Sequence, residues 1–358
     1  MPTINEAIVV NTTVISPSQT YAGWGIGALV GTSTATAKNT PKAFTSLSAF
    51  IAEHGAATDL GYAGASAFAQ GVESIYAVAV EVADTDPTAA EITAALDTLL
   101  TAQNAGSIKA VALAGIYSDT PLLTAALKTW ANANDKIFVV TNPKGATVGE
   151  ITTAAGNLSS ARGFFAAHNT PITATAFVDD VGAAALGVIT TTTPGETVSW
   201  AKIILPEVGI FADGDIATLE AVRVNCVDDL ENTSVIRLTN DLSLTTTSTD
   251  PAQYIDTTIT RMYVTDTIRN AVAQYRLSTR KIPYTAAGIE FVRSAIIAAM
   301  DQIVAEDVIT SDYTVTVPNI ADIDSETKMA RRLTGIYVTC QESSNMQEFT
   351  INLTLEVA

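Results

Sequence analysis

The sequence is poor in several kinds of chemistry. It has two cysteines in 358 residues, Cys226 and Cys340. They form no C-x-x-C pair and are too few for a disulfide framework. Histidine is equally scarce, with His54 and His168 only. Basic residues are few: 19 Lys and Arg face 37 Asp and Glu, a net charge of −18. Contacts to phosphate need clustered cations, so nucleic acid is not expected as a direct partner. Acidity of this degree favours solubility at high concentration or in high salt. No apolar run approaches the about 18 residues of a membrane helix, so no direct membrane insertion is expected. The opening Met1-Pro2-Thr3-Ile4-Asn5-Glu6 lacks the basic stretch of a signal peptide, which points to synthesis and folding in a cytoplasm.

What the chain has in quantity is apolar residues, 47% of the whole, with a mean hydropathy of +0.27. That is enough for large cores in two or three domains. From Ser74 to Leu186 β-rich runs alternate with helical ones. Ile75 to Val82, Lys109 to Ala114, Ile137 to Val140 and Thr173 to Val178 read as strands. Between them, Thr88 with Glu91 and Thr147 with Glu150 have the spacing of capping boxes, and Leu123, Leu127 and Trp130 mark a helix over Pro121 to Ala133. This alternation predicts an α/β domain with a mainly parallel sheet. Ser46 to His54 reads as a helix stopped by Gly55, with His54 as a surface or capping residue. Residues 187–199, with their threonine run and Pro194-Gly195, read as a linker.

The C-terminal third has a different rhythm. Pro251 to Tyr275 reads as one long helix. Ile289, Val292, Ile296, Met300 and Ile303, three and four apart, stripe a second. Tyr313 to Val317 and Gly335 to Cys340 read as strands around a short charged helix, Asp324 to Arg332. The chain then closes on Phe349 to Val357, where Phe349, Ile351, Leu353, Leu355 and Val357 alternate with polar residues. At the usual rise this strand is about 30 Å long, and it carries neither Pro nor Lys to guard it against pairing. Such a strand is either a buried sheet member or one offered to a neighbour. Ile8, Val10 and Val14 give the first residues the same extended character, ended by Ser16-Pro17-Ser18.

Catalytic patterns are weak throughout. Gly23, Gly25 and Ala28 match G-x-G-x-x-A, but the glycines precede a strand-like Ile26 to Val30 instead of following one, which inverts the dinucleotide context. The expected reading is a glycine-flanked buried strand. Ser66 lacks the second glycine of a nucleophile elbow, and no Walker loop occurs. His168, after Phe164-Phe165, is expected to be structural. Asp322, Asp324 and Glu326 have the spacing of cation ligands, yet Thr327 stands where a calcium loop needs Gly, so they read as a solvated helix N-terminus. Asp213-Gly214-Asp215 reads as a turn. The expectation is a protein that is not an enzyme, with no cofactor and no bound metal.

Four stretches resemble the contractile tail sheath proteins of tailed viruses and related injection machines. They are Gly27 to Thr32 with Asn39-Thr40-Pro41 and Glu53-His54-Gly55; Trp200 to Ile210 with Leu219 to Asn225; Lys281-Ile282-Pro283-Tyr284-Thr285 with Gly288-Ile289, after Ile255-Asp256, Arg261 and Ile268-Arg269; and Lys328-Met329-Ala330-Arg331-Arg332 before two terminal strands. The third is the most specific, and together they cover about half of the chain, mostly after residue 200. The resemblance implies α/β plus α+β architecture: an N-terminal arm over 1–18, an outer α/β domain over 19–190, an inner α+β domain over 191–346 and a donated C-terminal strand over 347–358. It implies a helical homopolymer around an inner tail tube protein, bounded by a baseplate and a tail terminator, located in the contractile tail of a virion and assembled in the host cytoplasm. Ile8, Val10, Val14 and the five apolar residues of the last strand would make subunit contacts. Lys328, Arg331 and Arg332 would face the tube. Two alternatives stay open at this point: another tail structural protein, such as a tube or terminator, and a cytoplasmic α/β nucleotide-binding enzyme.

Overall fold

The computed structural model describes residues 24–343 apart from 84–85, 104, 175–177, 200, 230–234, 246–252, 280, 330 and 332. The sites expected at Ile8, Val10, Val14, Arg332, Phe349, Ile351, Leu353, Leu355 and Val357 lie outside the described residues.

The first body is a sheet wound between two helical layers. Its strands are β1 (Ile26–Gly31), β2 (Lys42–Phe44), β3 (Ile75–Ala79), β4 (Ile108–Ala114), β5 (Ile137–Thr141), β6 (Gly163–Ala167), β7 (Asn225–Asp229) and β8 (Ile236–Leu238). They lie in the order β2-β3-β1-β4-β5-β6-β7-β8. The six inner strands are parallel, and β2 and β8 pair antiparallel at the two edges. Every residue of β1, β3, β4, β5 and β6 is buried. This is why these strands read as continuous apolar runs and not as alternation.

On one face lie α1 (Leu47–His54), α2 (Asp59–Phe68) and α6 (Val181–Thr191), packed on Leu29, Ala77, Ala112 and Val139. On the other lie α3 (Ala89–Leu99), α4 (Pro121–Ala133), α5 (Val148–Asn157) and α7 (Asp213–Ala221), packed on Ala28, Val30, Val78, Val111 and Phe138. Both expected capping boxes are present, with Thr88 and Glu91 on α3 and Thr147 and Glu150 on α5 exchanging their bonds. Helix α6 is buried along nearly its whole length and approaches the sheet closely through small residues. A Cβ at Gly27 of β1 would stand 3.2 Å from the Leu186 side chain, so glycine there sets the helix–strand spacing.

Four expectations need correction. Asp213-Gly214-Asp215, read as a turn, begins helix α7 instead. The parallel strand that follows β5 is β6, not Thr173 to Val178. Of the latter segment, Thr173, Ala174 and Val178 are outside any strand and 175–177 are not described. Gly-Phe-Phe-Ala-Ala is short and buried on both faces, so it carries no period to detect. The linker expected from residue 187 begins instead inside α6. Thr190 and Thr191 turn their hydroxyls back to the carbonyls of Leu186 and Gly187, at 2.9 Å each, which accommodates a threonine run in a buried helix. His54 is buried, not at the surface.

The chain then returns to the sheet, adding β7 and β8, and enters α8 (Ile255–Ser278). Ile255 and Ile259 at its start pack into the sheet's core. Val264 and the apolar residues beyond it pack instead on α9 (Ala286–Ala305), whose stripe of Val292, Ile296, Met300 and Ile303 forms a separate core with Val308, Ile309 and Val315. The change of core thus falls along α8. A short helix α10 (Ser325–Met329) and an antiparallel pair, β9 (Thr314–Thr316) with β10 (Tyr337–Thr339), complete this part. Among the described residues no helix is long and apolar enough to cross a membrane.

Candidate functional site

The place where an α/β sheet of this winding would hold a ligand is the crevice at the carboxyl ends of β1 and β4, since the chain leaves these strands in opposite directions. The protein fills that crevice with its own carboxylates. Asp180, fully buried at the N-cap of α6, accepts from Ala183 N at 2.9 Å and Gly115 N at 3.4 Å. These are amides that would otherwise be available to an anion. Asp59 accepts from the Thr32 hydroxyl at 2.6 Å and lies where a Cβ on Gly115 would collide with it. Burial raises the Asp180 pKa to about 6, leaving it largely ionised at neutral pH against its amide partners. A phosphate would meet negative charge here, which argues against nucleotide binding.

The other groups considered for catalysis are engaged in contacts within the fold. Ser66 donates to Tyr62 O at 3.0 Å and accepts from Asp180 N at 2.9 Å, so its hydroxyl ties α2 to α6. His168, expected to be structural, is buried, with Nε2 3.0 Å from Asn142 O. His54 sits among Phe44 and Phe50, ring centroids 5.2 and 4.8 Å away, with Nδ1 3.0 Å from the Ser33 hydroxyl and Nε2 unpartnered. Burial lowers both imidazole pKa values to about 4. Asp324 caps α10, accepting from Thr327 N at 2.6 Å, which matches the helix-terminus reading of that acidic run. Among the described residues no cluster of His, Cys, Asp or Glu could hold a metal ion.

The second body is where exposed, unpaired features collect. Lys328 and Arg331, both singled out from the sequence, line one cleft with Arg276, Lys281, Pro283 and Tyr284. Arg276 and Lys281 were missed as partners. They stand at the end of α8 and in the turn after it, and only the helical hairpin brings them to the residues after α10. None of these four cations is in an ion pair among the described residues. The K-I-P-Y-T turn owes its shape to Thr285, which caps α9 through Gly288 N at 3.2 Å, and to Gly288, where a Cβ would reach 1.9 Å from Pro283 O. An apolar groove adjoins it, lined by Val272, Ile282, Ile289, Val292, Leu333 and Ile336.

Among the described residues, strands β9 and β10 form a sheet of two members, with Thr314, Thr316, Tyr337 and Thr339 exposed. Two strands alone are marginal in water. After β10 the chain is pinned beside the end of α9, with Thr310 N to Gln341 O at 2.9 Å and Ser343 N to Val308 O at 3.2 Å. Close to this root lies a buried carboxylate pair. Asp241 is fully buried and accepts from the Thr197 hydroxyl at 2.7 Å, and Asp256 stands in the first turn of α8. Burial, then the charges of Asp241 and Glu342, hold Asp256 well above the usual carboxylate range.

No protein-family model matches the chain, and no curated protein is similar to it in sequence. Solved structures do match. A chain in the baseplate of the anti-feeding prophage superposes with a TM-score of 0.74 at 13% identity, covering 94% of each chain. The sheath complex of an extracellular contractile injection system, PVC, in its contracted state gives 0.68 at 12% identity over 91% of each. The sheath tail protein of Listeria innocua gives 0.61 at 12% identity, covering 90% of this chain and 96% of that one. The chain therefore has the fold of the sheath proteins of contractile injection systems.

Proposed function

We propose that this chain is a structural subunit of a contractile sheath, which polymerises helically around an inner tube and drives it forward on contraction. The observation that carries the proposal is the β9–β10 sheet, two-stranded among the described residues, together with the alternating apolar pattern of Phe349 to Val357 in the sequence that follows it. A sheet too small to stand alone and an unguarded terminal strand complete each other when the strand comes from a neighbour. The N-terminal run bearing Ile8, Val10 and Val14 is a second strand for the same sheet. In this reading residues 1–18 and 347–358 are the arms. The α/β sheet over 19–190, extended by β7 and β8, is the outer body, and the rest of 191–346 is the inner one.

Hinged arms let subunits rotate while sheet contacts persist, so contraction is relaxation between two lattices and needs no nucleotide. The cations Lys328, Arg331 and Arg332, joined by Arg276 and Lys281, face the tube. The partners are copies of the chain, the tube protein, a baseplate and a terminator, and the location is the contractile tail of a virion or injection particle. The likeness to two sheath structures over about nine-tenths of the chain supports this reading. Deleting residues 347–358 tests it: the truncated chain is expected to stay folded by circular dichroism and to lose polymerisation. Tubes formed by the truncated chain would show that the terminal strand is not the link between subunits.

A further inference from the structure

On the side of the sheet away from the ligand crevice, the amino ends of β4, β5 and β6 face the middle of α8 across a cleft of about 330 Å³. Five of the chain's 19 basic residues line it: Lys109, Lys136, Arg162, Arg261 and Arg269. Only two carboxylates offset them, Asp135 and Asp266. Asp266 is shared, bound by Lys109 and by Arg269 at 2.8 Å, and Asp135 holds Arg162 at 2.7 Å. Lys136 spends its ammonium on the carbonyls of Ile108 at 2.5 Å and Ala105 at 3.4 Å. Arg261 is exposed and has no carboxylate partner among the described residues. The cleft is thus a local excess of positive charge in a protein of net charge −18.

The opposite flank of the same helix faces α9, whose end carries the opposite sign. Arg261, Thr265 and Arg269 repeat every four residues along the cleft side of α8. Tyr263, about 200° round the helix from Arg261, points to α9. There it donates to Glu306 at 2.5 Å. Around the end of α9 stand the exposed carboxylates of Asp301, Glu306, Asp307 and Asp312, none of them in an ion pair among the described residues.

We propose that the basic cleft beside Arg261 and Arg269 is an interaction surface for a second copy of this chain, and that it receives the carboxylates at the end of that copy's α9. The inference rests on the sheath reading and deepens it. Subunits of charge −18 repel, so a polymer of them needs contacts where the sign locally inverts. Two different, complementary patches on one molecule make a head-to-tail contact, which propagates into an open helical array and does not close as a dimer.

The test is a charge swap measured by sedimentation and negative-stain microscopy at low salt. The double variant Arg261→Glu/Arg269→Glu and the double variant Asp307→Lys/Asp312→Lys alter exposed side chains, and circular dichroism checks that both remain folded. Each is expected to raise the concentration needed for assembly by at least about tenfold, and the quadruple variant carrying both reversals is expected to recover it. The single change Arg261→Gln, which breaks no ion pair, gives a smaller loss in the same direction. If the wild-type protein assembles and both double variants assemble equally well, this inference falls and the sheath reading stands. If the wild type does not associate at any concentration, with or without a tube protein, the sheath reading falls and takes the inference with it.

Discussion

His54 offers a prediction whose size follows from its surroundings. It ends α1, in the block Glu53-His54-Gly55, and its ring is enclosed by Phe44 of the edge strand β2 and by Phe50. Burial is the main reason its pKa falls from 6.5 to about 4, with Lys38 and Lys42 adding to the effect and Glu53 opposing it. A base with a depressed folded pKa contributes stability that is complete above its unfolded pKa and is lost as pH falls toward the folded one. For a shift from 6.5 to about 4, the loss between pH 7.5 and pH 5 is about 2 kcal/mol. His168 has a similar shift with burial as its main cause, so the two together cost about 4 kcal/mol over that range. With only two histidines in the chain, imidazole NMR of histidine-labelled protein resolves both. His54→Phe assigns the signals by deleting one. Neither resonance is expected to shift between pH 8 and 5.5, and the variant's stability, from urea unfolding, is expected to fall by about 2 kcal/mol less than the wild type's on acidification to pH 5. A His54 midpoint near 6.5, or identical pH dependence in the two proteins, would refute the argument from burial.

Other expectations follow from single contacts. Asp256 holds its proton in the folded state, so the pair with Asp241 destabilises increasingly as pH rises from the ordinary carboxylate range; Asp256→Asn is expected to flatten the stability–pH curve and to be more stable than wild type at pH 8, read by thermal melts. At Gly61 of α2 a Cβ would lie 2.0 Å from Gly55 O, so Gly61→Ala is expected to cost about 1–3 kcal/mol in urea unfolding through displacement of the α1–α2 turn. Met300 is fully buried at the centre of the α8–α9 core; Met300→Ala is expected to cost about 2–5 kcal/mol and to raise hydrogen exchange in the second body before the sheet.

Much of the architecture could be read in the chain because its signals are local. Threonine three residues before glutamate marked the starts of α3 and α5, and the three-and-four spacing of Val292, Ile296, Met300 and Ile303 marked α9. The failures have a common cause, which is burial on every side. Strand β6 and the end of α6 have no polar face, so periodicity vanished and composition misled: T-A-T-A-F-V resembled a strand by propensity, and a threonine run resembled a linker although the hydroxyls of Thr190, Thr191 and Thr192 bond back to helix carbonyls. His54 was misplaced for a related reason, since Glu53 and Gly55 beside it on the chain mark a helix end while its neighbours in space are phenylalanines. Lys328 and Arg331 were recognisable as cations out of place in an acidic chain. That they share a cleft with Arg276 and Lys281 depends on the α8–α9 hairpin, which joins residues far apart in sequence. The joining of β7 to β6 across the whole of α6 and α7 is likewise a product of the winding and leaves no mark on either strand.

The central claim is self-assembly into a sheath, and negative-stain electron microscopy of the purified chain at high concentration, across a salt series and with a candidate tube protein co-expressed, tests it most directly. The account predicts wide hollow tubes with a lumen large enough to enclose an inner tube. Monodisperse small particles under every one of these conditions would contradict it.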